Sequence, residues 1–252
     1  MLQKLKRHLL PIVAHFDEVF VLTYALPEAV LKPLLPTGLT LDTYEGNGFL
    51  AVALVRTRKL RPAGLPEFMG RDFILSGYRI FTRLKTNDGR SLRGLKILRS
   101  DADSEAMVFW GNRLTRYGYE KADISWVSND SSIYIGVRTA SGVGDLDVSV
   151  DLSQSPAPLP PGSPFRDIQT ALKYSGPLPY TFSAEPESGS IVVVKGVRHD
   201  WRPVAVSAQV SRCAFLEQKS FSGAKPILAN AFHMRNIPYR WEPGVLEKPA
   251  AA

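Results

Sequence analysis

Lys121 is the residue whose surroundings point most directly to chemistry. It lies in Gly111–Trp126, GNRLTRYGYEKADISW, just past an expected helix end and among aromatic and basic residues. Burial and neighbouring positive charge both disfavour an ammonium and lower its pKa. Tyr117, Tyr119 and Trp126 could supply the burial, and Arg113 and Arg116 the charge. A lysine tuned in that way forms a Schiff base with a carbonyl substrate. Tyr119 and Glu120 are placed to help with proton transfer if they face the same pocket. Tyr119 and Lys121 share a face only if the segment is extended. The competing reading is an exposed loop lysine.

Other candidates are weaker. Arg79 lies in the strand-like SGYRIF. Facing outward it is an ordinary solvated arginine. Facing inward it needs a partner, because a buried charge without one is costly. Arg79, Arg113 and Arg116 are therefore the candidate carboxylate holders, through forked hydrogen bonds. Trp110 and Trp126, like Trp201 and Trp241, are either core packing or the wall of a binding site. His8, His15, His199 and His233 never fall at HxH or HxxxH spacing, and Cys213 is the one cysteine, so no metal site is expected. His199 and Asp200 are adjacent and would face opposite sides of a strand. The sequence has no GxGxxG, GxxxxGK[ST] or GxSxG motif. No cofactor is expected.

The elements that must position these residues are mostly strands. Val19–Ala25, Leu39–Asp42, Phe49–Arg56, Phe73–Lys85 and Leu92–Arg99 are rich in β-formers. Asn87-Asp88-Gly89 predicts a hairpin between the last two. Pro27 suits a helix start. Asp103 is the expected N-cap of a helix running to Leu114, with Gly118 as its stop. Strands are expected again over 124–128, 132–139, 146–152, 191–198 and 204–215. The stretch 155–164 is a proline-rich loop, 165–174 a short helix, and 231–241 a strand or a lid. Many short strands and few short helices predict a mainly β (α+β) fold, an antiparallel barrel, cone or sandwich.

A chain of 252 residues with 44% hydrophobic and 22% charged residues suits a globular core. We expect an N-terminal extension over 1–14, a single domain over 15–243 and a flexible tail over 244–252. Leu9, Leu10, Ile12 and Val13 faintly mimic a signal peptide, but Pro11 interrupts them and no cleavage site follows. No run is long enough to span a bilayer. The expected location is cytoplasmic. The net charge of +7 is diffuse, with its densest run at Arg56, Arg58, Lys59 and Arg61. No aromatic platform accompanies it, so nucleic acid is not an expected partner and membrane-surface binding is a minor alternative.

Two stretches resemble the acetoacetate-decarboxylase-like superfamily, and most closely its uncharacterised YqjF-like branch. They are YALPEAVLKPLLPTGLTLDTYEGNGFLAVALV and RDFILSGYRIFTRLKTNDGRSLRGLKILRSDADSEAMVFWGNRLTRYGYEKADI. The likeness covers about residues 15 to 126 well and the remainder weakly. It implies a closed or cone-shaped barrel around a mostly apolar cavity, with homo-oligomers common. It also implies that Lys121 holds the position of the decarboxylases' Schiff-base lysine. Yet Glu120 replaces that motif's proline and Ala122 its second lysine. Leu75 stands near the place of the catalytic glutamate, and the nearest acids are Glu67 and Asp72. The expected function is thus a pocket for a small apolar or acidic metabolite. The alternative is a Schiff-base lyase, decarboxylase- or aldolase-like, acting through Lys121.

Overall fold

Long apolar runs become long strands. The structure, a computed structural model, describes residues 2–176 and 178–250. In chain order the first half contains α1 (Leu2–Leu5), β1 (Ile12–Pro27), α2 (Glu28–Leu31), β2 (Leu39–Leu41), β3 (Asn47–Pro62), β4 (Arg71–Lys85), β5 (Ser91–Ala102) and α3 (Glu105–Leu114). The second contains β6 (Tyr119–Ser128), β7 (Ser132–Thr139), β8 (Leu146–Asp151), α4 (Ile168–Ser175), β9 (Tyr180–Glu185), β10 (Ser190–Arg198), β11 (Val204–Ala205), β12 (Ser207–Cys213), β13 (Ile227–Trp241) and β14 (Val245–Glu247).

Seven strands close a ring. β5, β9, β10, β13, β1, β3 and β4 each pair with the next, and β4 pairs back with β5. Closure leaves these strands no free edge along the circuit. A second sheet, β6, β7, β8 and β12, branches from β5 and covers part of the ring's outer face. Phe20, Leu50, Tyr78 and Ile80 from the ring pack there with Ile133, Ile135 and Val148. Successive strand residues point to opposite faces. Val19, Ala51, Ala53 and Phe81 therefore belong to a separate core, on the inner face. With both faces buried, β3 reads as a continuous apolar run, FLAVALV, and not as an alternation.

β5 is where the two sheets part. Along one edge its first half pairs in parallel with β9, through Gly94–Lys96, and its second half with β6, through Ser100–Ala102. The Lys96 ammonium caps the carbonyl of Ile97 in the gap, at 2.7 Å. Arg99 bridges the fork, donating to Asp101 on its own strand and to Glu120 on β6. The parallel β5–β6 pair needs a crossover, and α3 supplies it. Ser104, not Asp103, caps that helix by accepting from the Met107 amide. Asp103 instead accepts the amide of Ile74. The helix stops at Leu114, before Gly118, where the Thr115 hydroxyl and amide both donate to the Gly111 carbonyl.

Both chain ends differ from expectation. β1 begins at Ile12 and is one sixteen-residue strand, so the apolar run at Leu9–Val13 leads into the sheet. Residues 231–241 form the body of β13, a strand and not a lid. The tail expected to be loose pairs with β10 through Val245–Glu247, and Pro249 bridges Thr86. No described helix is long and apolar enough to cross a membrane.

Candidate ligand-binding site

A cavity of about 460 Å³ opens inside the ring. Every ring strand contributes to its wall, for example Val19 of β1, Ala53 of β3, Leu75 of β4, Leu95 of β5, Thr181 of β9 and Tyr239 of β13. Its volume falls in the range of small-ligand pockets. Two guanidinium groups, those of Arg79 and Arg198, interrupt the apolar lining. No aspartate, glutamate or lysine lines it among the described residues.

Arg79 reaches the cavity by the regular alternation of β4, on the face of Phe73 and Leu75, while the strand it pairs with carries a bulge. Tyr78 pairs with Arg99 and Arg79 pairs with Ile97, so Leu98 is an extra residue on β5. A bulge shifts the alternation of the strand beyond it by one residue. Leu95, Ile97 and Ser100 consequently face the cavity. Arg99 and Asp101 pair with the outward Tyr78 and Ser76, on the other face. In a regular strand continuing from Ile97 they would point inward. The bulge thus keeps the Asp101 carboxylate out of the cavity onto which Arg79 opens. Burial pushes the Arg79 guanidinium below its usual pKa, and the charge of Arg198 adds to the effect. Gly77 leaves the room, since a Cβ there would lie 3.3 Å from the nearest guanidinium nitrogen of Arg79.

Arg198, at the end of β10, donates to the Leu178 carbonyl at 2.6 Å. Its guanidinium lies over the rings of Trp201 and Tyr239, at 4.8 and 5.4 Å. It too is held below its usual pKa by burial, again with no acid beside it. Two like charges share one low-dielectric chamber, and each raises the cost of the other. Around them, Tyr117 is buried, and its hydroxyl makes no well-formed hydrogen bond beside Thr181. Burial raises the Tyr119 phenol to about 12. His8 also lines the chamber, buried and kept below its ordinary pKa, with an unpartnered Nδ1. The arrangement is neutral donors and fixed cations facing an apolar volume, a set that favours an anionic group on an apolar body.

The structure divides the sequence-derived candidates. Arg79, Tyr119 and Trp110 meet at the cavity. Tyr119 packs its ring where a Cβ on Gly111 would stand. Lys121 does not meet them. It lies two residues further along β6, where its amine donates to the Ala122 carbonyl at 3.1 Å and pairs with Asp123 at 3.5 Å. Its side chain is 42% exposed, which corrects the expectation of a desolvated amine. Glu120 points outward to Arg99, 2.7 Å away. Arg113 is exposed over the Phe109 ring, and Arg116 reaches Glu185 and Glu187. Trp126 packs outside the ring between Phe20 and Arg56. The lysine that burial does depress is Lys96, the cap at the fork.

Arg198 and Tyr239 escaped the reading of the sequence as lining residues, whereas Tyr117, expected there as a burying ring, does line the cavity. For Arg198 the available signal was an arginine closing the buried run SIVVVKGVR. Leu5, His8, Leu9 and Leu10 escaped as well, since the N-terminal extension folds against the cavity. The Arg7 guanidinium fastens it, donating twice to Glu185 at 2.8 Å.

This ring around a chamber is the acetoacetate-decarboxylase-like fold. It matches an acetoacetate decarboxylase-like enzyme from Sphingomonas wittichii RW1 with a TM-score of 0.63 at 12% identity, over 96% of this chain and 94% of that one. Acetoacetate decarboxylase from Legionella pneumophila matches with a TM-score of 0.62 at 13% identity, over 96% and 87%. The enduracididine biosynthesis enzyme MppR, solved in complex with pyruvate, matches with a TM-score of 0.62 at 13% identity, over 94% and 90%. None of the curated proteins matches the chain. Within that fold the chain belongs to the DUF2071 family, described as "Uncharacterized conserved protein (COG2071)", which it matches over residues 13–235.

Proposed function

We propose that this chain binds a small carboxylate with an apolar body inside the ring, without forming a Schiff base through Lys121. The carrying observation is the pair of cavity guanidiniums, Arg79 and Arg198, with no acidic partner. A carboxylate entering there exchanges a repelling pair of cations for two sets of charge-assisted hydrogen bonds. The apolar wall takes the rest of the ligand. That MppR was solved with pyruvate, itself a small carboxylate, is consistent with this reading. The exposed, ion-paired Lys121 argues for binding over imine chemistry.

The test is calorimetric titration with pyruvate, phenylpyruvate, benzoate and octanoate, each beside its methyl ester. The acids should bind and the esters should not. Each of Arg79→Met and Arg198→Met should weaken binding about 10- to 150-fold, the worth of one charged hydrogen-bonding group. Esters that bind as tightly as acids would overturn the proposal. The lyase alternative is tested separately by borohydride trapping of the same keto acids with wild type and Lys121→Ala. A covalent adduct lost in that variant would establish imine formation and displace the binding reading.

A further inference from the structure

Exposed large apolar side chains gather around the cavity's mouth. Leu9 and Leu10 are 50% and 58% exposed, and Trp110 is 57% exposed, yet all three also line the cavity. Phe109 stands edge-on to Trp110 and is 54% exposed. Phe68, in the loop between β3 and β4, is 87% exposed. Backbone hydrogen bonds stitch the three segments together. The His8 amide donates to the Leu114 carbonyl, and the Ala63 amide to the Pro11 carbonyl. A cluster of exposed aromatic and aliphatic tips marks an interaction surface.

The charge on the same segments says what kind. Arg58, Lys59 and Arg61 pair with Asp17 or Glu67. Lys4, Lys6, Arg71 and Arg113 have no carboxylate partner among the described residues. We infer that this face docks on a lipid surface carrying anionic headgroups, its apolar tips entering the interface and these four cations meeting the headgroups. Apolar tips with a basic surround are the composition of interfacial binders. A second copy of the chain fits worse, because it would set the same cations against each other. Nucleic acid would satisfy the cations and leave the apolar tips exposed to water. Docking here places the opening of the cavity against the bilayer.

The experiment is vesicle flotation of the full chain without added ligand. It compares phosphatidylcholine vesicles with vesicles containing about 30% phosphatidylglycerol. Wild type should float with the anionic vesicles, and raised salt should release it. The double variant Phe68→Ser, Phe109→Ser, neither of which lines the cavity, should lower the partition coefficient about tenfold or more through lost apolar burial. Val127→Ser, an equally exposed apolar site on β6, should change nothing. Circular dichroism and carboxylate titration of the double variant check that fold and cavity are intact. Wild type that fails to float, or a double variant that floats equally, overturns the inference. So does a concentration-dependent dimer that the double variant abolishes, which would make the face a self-interface.

Discussion

Replacing Arg79 with methionine should raise the stability of the empty protein and reduce its response to ligand. Methionine keeps the length of the side chain and discards the charge. Replacing buried ionic groups by apolar residues of similar volume is often stabilising by about 1–4 kcal/mol. Arg79 has no acid beside it and suffers the neighbouring charge of Arg198. Its exposed part faces a chamber that can hold water, so the low end applies, about 1–2 kcal/mol. For a chain of this size that corresponds to a Tm increase of about 2–8 °C. Wild type should gain about 2.7 kcal/mol from a carboxylate at one hundred times its Kd, and the variant, binding about 10- to 150-fold more weakly, only about 0.3–1.4 kcal/mol at the same concentration. Differential scanning calorimetry with and without phenylpyruvate should then show the variant melting later when empty and gaining about half or less of the wild-type stabilisation from ligand. A variant that melts earlier when empty would show that Arg79 has a compensating partner, and the argument for an anion site would fall.

Three further outcomes follow from the same geometry. Gly111→Val sets a side chain where the Tyr119 ring now lies, so the ring should shift toward the cavity. Overpacking of that kind costs about 1–3 kcal/mol, and both Tm and carboxylate affinity should fall. Glu185 is held at about 2, first by the hydrogen bonds from Arg7, then by Ser188 and Arg116. Because its folded pKa lies below the unfolded value of 4.5, its contribution is complete above pH 4.5 and is lost as pH falls toward 2. The protection of amides 4–10, measured relative to their intrinsic exchange rates at each pH, should fall across that window, and Glu185→Gln should reproduce the effect at pH 7. Unchanged protection in either case would show that Arg7 is not the fastener. Lys121→Ala should leave both Tm and carboxylate affinity at wild-type values, because the side chain is exposed and tied to Asp123; a lost affinity would return Lys121 to the site.

Most strands and their turns were legible because local residues dictate them, but β9, Tyr180–Glu185, was not among the expected strands although it belongs to the ring. Asn87-Asp88-Gly89 sits at the β4–β5 hairpin, and its Gly89 takes the positive φ that such turns require. The likeness to the superfamily was legible in contiguous stretches and reached the fold. The side to which Arg79 points was not legible, since β4 is buried on both faces, and neither was the bulge that turns Arg99 and Asp101 away from the cavity. Nothing in LKILRSD marks Leu98 as the extra residue. Lys121 misled for a related reason. Alternation does put it on the face of Tyr119, but two residues advance a strand by about 7 Å, enough to carry it out of the chamber. The two ends of the chain misled because composition suggested loose termini. Their anchors, Glu185 for Arg7 and β10 for residues 245–247, lie far away in sequence.

The ring closes late in synthesis. β1 lies between β3 and β13, so Val21 meets Ala53 early but waits for Phe232. At about 5–20 residues per second the ribosome needs on the order of 10–40 s to span that interval. Throughout it, β1 offers one unpaired edge and an unroofed apolar face, the conditions under which nascent chains stick to one another. Tyr239 and Trp241, which finish the chamber, arrive last of its lining residues. Protection of that edge during translation is therefore part of what this topology demands of the cell, and contacts this distant in sequence also make slow refolding the expected behaviour in vitro.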